Sequence, residues 1–107
     1  MEYRQLGRTG LNVSTIGLGC EGFIGKTADE TRQMMDFAIG NGINFMDLYS
    51  PNPDLREHIG SALQGRRADF HLQGHLCTTW KNNQYLRTRL MKEVRPAFEQ
   101  QLKELHT

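Results

Sequence analysis

Apolar residues along the chain recur with two different spacings, which predict strands and helices in alternation. Residues 3–6 and 11–14 flank a glycine-bearing stretch at 7–10, a pattern that predicts a β-hairpin. The short apolar run at 16–19 ends in glycines and predicts a buried strand. Two further apolar runs, at 43–48 and 70–76, predict the second and third strands that follow the hairpin.

Three helices are predicted between and after these strands. Thr27 and Glu30 form a capping box, which predicts a helix start there and an end near the glycines at 40–42. Asn52 before Pro53 predicts a second N-terminus. Pro96 lies inside the third helical pattern, so that helix is either kinked there or begins late. The predicted inner faces consist of apolar residues three or four positions apart: Met34, Met35, Ala38 and Ile39; Leu55, Ile59 and Leu63; Leu90, Val94, Phe98, Leu102 and Leu105.

The order of elements, a hairpin followed by three strand–helix units, predicts an α/β fold with a parallel sheet. A length of 107 residues is suited to a single domain. A sheet of three strands would leave both of its edges exposed. We therefore expect the chain to be part of something larger, and to self-associate by itself through unpaired strand edges and uncovered apolar faces.

The composition argues against nucleic acid and membranes as binding partners. The formal charge of +1 provides no basic surface for nucleic acid. No apolar run approaches the ~20 residues of a membrane span. The first residues lack the apolar segment of a signal peptide, so the expected location is the cytoplasm.

Cysteine and histidine spacing predicts no metal centre. Cys20 and Cys77 are too few and too far apart for a zinc or disulfide framework. His71 and His75 share one face of the third predicted strand, but neighbouring carboxylate or thiolate ligands are lacking.

The stretch "GLGCEGFIGKT" contains two nucleotide-binding patterns. The P-loop interpretation is excluded, because Cys20 occupies the position of the first glycine. "GLGCEG" matches the dinucleotide-binding turn, and Asp47 ends the next strand, where a ribose-binding acid would lie. However, the helix begins only after Thr27, displaced from these glycines. A dinucleotide-binding fragment of a doubly wound fold remains one interpretation, and a simple bend at Gly17 and Gly19 another.

Several stretches resemble the aldo/keto reductase family: "EYRQLGRTGLNVSTIGLG", "GINFMD" and "IGSALQGRRADF". The resemblance implies the N-terminal portion of a (β/α)8 barrel, an incomplete barrel forming a single partial domain over 1–107. Residues 1–15 would be the hairpin, and 16–107 the first three β/α units. "DLYSPNPDLR" and "QGHLC" resemble a subfamily with a ferredoxin-like C-terminal segment, which implies an iron–sulfur cluster outside this chain.

The resemblance implies reduction of a small-molecule carbonyl substrate with NADPH, using aspartate, tyrosine, lysine and histidine side chains. Asp47 matches the family aspartate. The tyrosine position holds Asn52, so Tyr49 becomes the candidate, and His75 takes the place of the lysine. Gly19, Cys20, Glu21 and Asp47 would border the nicotinamide.

The fourth active-site residue and the loops that bind the NADP phosphate belong to later strands of the family. We therefore expect the full-length protein to be an oxidoreductase and the chain by itself to be inactive. Because two of the three testable active-site positions depart from the family pattern, a non-catalytic barrel relative is the alternative.

Overall fold

The computed structural model describes residues 1–107 and begins with the predicted hairpin. Strand β1 (Tyr3–Gln5) pairs antiparallel with β2 (Asn12–Ser14). The Tyr3 hydroxyl donates a hydrogen bond to the carbonyl of Gly42 at 2.8 Å, and the Asn44 side chain accepts one from the last residue of β2 at 2.7 Å. These contacts attach the hairpin to the segment that enters the second strand of the main sheet.

The main sheet has three parallel strands, in the order β3 (Leu18–Gly19), β4 (Phe45–Leu48) and β5 (His71–Gly74). The helices that follow them are α1 (Ala28–Gly40), α2 (Pro53–Ala62) and α3 (Met91–Glu104). This α/β arrangement confirms the predicted strand–helix alternation, and the sheet is not closed. One core joins the sheet to its helices, and its buried side chains are Cys20, Phe23, Met35, Met46, Leu48, Leu55, Ile59, Ala62, Leu63, Phe70 and Leu105.

The N-terminal caps of α1 and α2 confirm two local predictions. Glu30 donates its backbone N–H to the Thr27 hydroxyl at 3.2 Å, and its carboxylate accepts the Thr27 N–H at 2.9 Å. The backbone and then the hydroxyl of Thr27 lower the pKa of the Glu30 carboxyl. This cap therefore stabilises the fold at neutral pH and weakens as the pH falls through that lowered value. At α2, the Asn52 side chain accepts the Leu55 N–H at 3.0 Å.

All five predicted strands are shorter in the structure than expected, and in the main sheet the first and third leave an apolar residue exposed. The buried strand at 16–19 is wrong at its start, because Ile16 is 61% exposed and β3 begins only at Leu18. The third strand ends at Gly74, which pairs with Leu48, the last residue of β4. Leu76, beyond the end of the strand, is 60% exposed. Leu76 lines an open apolar cavity beside α3, so its side chain stays exposed.

A second hairpin, absent from the sequence prediction, fills the segment between β5 and α3. Strands β6 (Thr78–Lys81) and β7 (Gln84–Arg87) pair antiparallel. Asn82 and Asn83 both have positive φ, 51° and 57°, as a two-residue type I′ turn requires. The signal was present in the sequence: two asparagines between strand-favouring "TTW" and "YL".

Helix α3 begins at Met91 and continues through Pro96, so the late start is excluded. Its predicted apolar face is only partly covered. Val94 is buried, whereas Phe98 is 42% exposed. An open apolar cavity of about 660 Å³ lies between this helix and β5. Self-association through this face stays a prediction.

We predict a stability loss when alanine replaces Gly60, at the contact between α2 and α3. A Cβ atom there would lie 2.7 Å from the carbonyl oxygen of Glu104 and 2.9 Å from the Cα of Leu105. These are backbone atoms, so the helices must move apart. Overpacking of this kind costs about 1–3 kcal/mol, which urea unfolding would measure.

Gly40→Ala is the matched control. It is also helical, but no atom lies within 4 Å of its added Cβ. Because alanine is favoured over glycine in helices, this variant should be as stable as the original or more so. Equal stability of the two variants would contradict the close contact at Gly60.

Candidate active site

The carboxyl ends of β3, β4 and β5 bring the predicted site residues together. Asp47 pairs with Gly19 of β3 on one side and with Gln73 of β5 on the other. Side chains alternate along a strand, and the neighbouring Met46 and Leu48 of β4 point into the core. Asp47 therefore lies on the opposite, open face of the sheet, and His75, two residues after Gln73, extends from the same edge.

Asp47 and His75 are in direct contact. The His75 Nε2 atom lies 2.8 Å from the Asp47 Oδ1 atom, although the residues are 28 positions apart. The His75 side chain is 40% exposed and that of Asp47 is 47% exposed, so the pair faces solvent at the strand ends. With Nε2–H donated to the carboxylate, Nδ1 is left to meet a ligand.

Tyr49 is the neighbour of this pair. Its ring lies edge-on to that of His75, with 6.4 Å between centroids, and its hydroxyl donates to the Glu21 Oε1 atom at 3.3 Å. Burial raises the pKa of the Tyr49 hydroxyl, and the negative charge of Glu21 raises it further. The phenol is consequently a weaker acid than a free tyrosine.

The residues predicted to border a cofactor have different surroundings. At Gly19, no atom lies within 4 Å of the position a Cβ would take, so the backbone is open to a ligand. Glu21 is exposed. Cys20 is 0% exposed: its thiol packs in the core, and its N–H donates to the Asp47 carbonyl at 3.2 Å. Cys20 thus supports the strand end from beneath and presents no side chain to the open face.

The β6–β7 hairpin adds residues that the sequence prediction did not include in the site. A cavity of about 280 Å³ is lined by His75, Cys77, Tyr85, Arg87 and Arg89. Arg87 ends strand β7 of this hairpin and Arg89 follows two residues later, so neither could be placed beside His75 without it. The asparagine turn was the signal that would have found them.

The structure contains neither a cluster of metal ligands nor a membrane-spanning helix. No group of three or more histidine, cysteine, aspartate or glutamate side chains is arranged to hold a metal ion. None of the helices combines the length and apolarity needed to cross a bilayer.

No protein-family model matches the chain, but two curated proteins are similar to it. It is 35% identical over 83 residues to the uncharacterized oxidoreductase YqkF of Bacillus subtilis, covering 75% of this chain and 26% of that protein. It is 50% identical over 65 residues to the uncharacterized oxidoreductase YrpG of the same organism, covering 55% of this chain and 20% of that one.

A solved structure matches the whole chain. The holo form of the aldo-keto reductase AKR11C1 from Bacillus halodurans superposes with a TM-score of 0.86 and 28% identity, covering 100% of this chain and 37% of that one. The chain therefore spans about a quarter or less of the curated relatives it matches and somewhat over a third of this structure.

Proposed function

Because the chain belongs to the aldo/keto reductase family, we propose that it forms the first part of an enzyme that reduces a carbonyl compound with NADPH. One observation carries the proposal. A carboxylate and an imidazole, Asp47 and His75, are hydrogen-bonded at 2.8 Å at the carboxyl ends of adjacent parallel strands. In barrel enzymes, the chemistry takes place at this end of the strands.

The residues present fit a nicotinamide group. Gly19 leaves its backbone open to a flat ring, and the polar side chains of Glu21 and Asp47 lie beside it. These three residues would hold the ring, with Cys20 supporting them from the core. When bound, the cofactor supplies the hydride. An iron–sulfur cluster would lie outside this chain and stays a prediction from the resemblance.

His75 is the better proton donor of the two candidates. Reduction places negative charge on the carbonyl oxygen, which must receive a proton from a nearby acid. Asp47 accepts the Nε2 proton, orients the ring and leaves the Nδ1 proton of the charged imidazole for the substrate. Tyr49 holds its proton more tightly, because burial and Glu21 raise its pKa. Tyr49 therefore packs against His75 and positions it.

The test compares residues 1–107 with a protein that spans the full length of the relatives. Oxidation of NADPH is followed by absorbance with a panel of aldehydes and ketones. We expect turnover by the full-length protein, with NADPH preferred over NADH. We expect none by residues 1–107 alone, because their sheet has three strands and one uncovered face.

Two results would contradict this proposal. Turnover by residues 1–107 that is lost in Asp47→Ala would show that the later strands are not needed. A full-length protein that binds NADPH but oxidises it with no carbonyl compound would be the non-catalytic barrel relative.

A further inference from the structure

The geometry points to an anionic carbonyl compound as the substrate, with its carboxylate or phosphate bound by Arg87 and Arg89. This inference rests on the proposed function and names its substrate class. Both arginines line the cavity of about 280 Å³ that also contains His75. A molecule whose anionic group meets the arginines would extend from them toward the proposed proton donor.

The charges of this cavity are unbalanced. Neither Arg87 nor Arg89 has a carboxylate oxygen within 4 Å, and the lining residues include no aspartate or glutamate. The nearby Glu93 is engaged elsewhere, since it accepts hydrogen bonds from Lys81 at 2.9 Å and from Thr88. Two arginines that line one cavity without a counterion favour an anionic ligand.

The hairpin holds these arginines in a defined relation to His75. Thr88, between them, donates its N–H to the carbonyl of Cys77 at 3.0 Å, only two residues after His75. Arg87 donates Nε–H to the Tyr85 hydroxyl at 3.3 Å, which orients the guanidinium and leaves its terminal nitrogens free. A planar fork of this kind binds a carboxylate or phosphate through two hydrogen bonds.

The phosphate of the nicotinamide cofactor is the other source of such an anion. The cavity favours the substrate, because it contains the proposed proton donor, to which the reacting carbonyl must come. Its volume also lies near the lower limit of small-molecule sites, roughly 300 Å³, which suits a small substrate better than the phosphate end of a dinucleotide.

Binding is tested first, without catalysis, in the full-length protein by ligand-observed NMR. The probes are benzoate, its neutral analogue benzamide, and adenosine 2′,5′-bisphosphate for the cofactor phosphate. We expect benzoate to bind about tenfold more tightly than benzamide, as charge-assisted hydrogen bonds predict. This difference should vanish in the double variant Arg87→Gln, Arg89→Gln.

Arg95→Gln is the matched control, because Arg95 is 81% exposed and pairs with Glu99 outside the cavity. It should keep the preference for benzoate. Equal binding of benzoate and benzamide, or a preference that survives in the double variant, would overturn the inference. Loss of bisphosphate binding in the double variant, with benzoate binding unchanged, would assign the arginines to the cofactor instead.

Turnover is tested second, with 4-formylbenzoate and 4-formylbenzamide. The ratio of their kcat/KM values should favour the carboxylate about tenfold and fall to about one in the double variant. An unchanged ratio with normal turnover would overturn the substrate class and leave the proposed function standing. Arginine-dependent benzoate binding without reduction of either aldehyde would reject the proposed function, and the substrate class with it, while the anion site remained.

Discussion

Replacing Arg56 with methionine should lower the free energy of unfolding by about 3–5 kcal/mol, as expected when one partner of a buried ion pair is removed. Arg56 is 3% exposed and joins three parts of the chain. Its Nε donates to the Ser50 carbonyl at 3.0 Å, and its terminal nitrogens donate to Glu104 at 3.2 Å and Gln101 at 3.3 Å. Burial lowers the pKa of Arg56, and the hydrogen bond and charge of Glu104 oppose that shift.

The loss of stability is large because the substitution removes the cationic partner of the Glu104 carboxylate. The Glu104 side chain is only 11% exposed, so its carboxylate would lose its cationic partner without gaining full hydration and would keep only the hydrogen bond from Gln100 at 3.1 Å. Urea unfolding measures the loss. The double variant Arg56→Met, Glu104→Leu should recover part of it, because no unpaired charge then remains.

Arg95→Gln provides the exposed comparison. Its pair with Glu99 spans one helical turn at the surface, with side chains 81% and 60% exposed. Such pairs contribute about 0.3–0.5 kcal/mol. Losses of similar size in Arg56→Met and Arg95→Gln would contradict the role of Arg56 as a buried junction between α2 and α3.

The second large effect is on catalysis by the full-length protein. His75→Gln and Asp47→Asn should each lower kcat by about 10²–10⁴-fold, the usual contribution of general acid–base catalysis. Tyr49→Phe should have a much smaller effect, because the hydroxyl is assigned no proton transfer. Steady-state rates with one aldehyde, measured for all three variants, provide the comparison.

A stability measurement separates chemistry from folding. The Asp47–His75 pair is 47% and 40% exposed, so its removal should change the free energy of unfolding by less than about 1 kcal/mol in urea unfolding. A larger loss of kcat in Tyr49→Phe than in His75→Gln would instead make tyrosine the proton donor.

Features that depend on neighbouring residues were predicted from the sequence with few errors. The caps at Thr27 and Asn52 are correct, because each is a hydrogen bond between residues three positions apart. The placement of Asp47 and His75 in one site was implied by the family resemblance, and the structure brings their side chains to 2.8 Å at the carboxyl ends of parallel strands.

Features that depend on distant packing were not predicted. At Pro96 the sequence left a kink and a late start as alternatives, and only the structure excludes the late start, since α3 begins at Met91 and continues past the proline. The polar Gln101 is buried on that helix because Arg56, 45 positions away, supplies its partner. The β6–β7 hairpin is a local feature, signalled by the two asparagines of "KNNQ", yet the sequence prediction did not include it.

The sequence by itself determined the first hairpin, the alternation of three strands with three helices and the two helix caps, since these arise from hydrogen bonding and apolar periodicity within a few residues. Only the tertiary structure decided which polar groups are buried and which charges lack a partner. Cys20 lies in the core, Arg56 of α2 is buried against α3, and Arg87 remains without a carboxylate. Desolvation and charge pairing depend on every neighbour in space, and those neighbours come from distant parts of the chain.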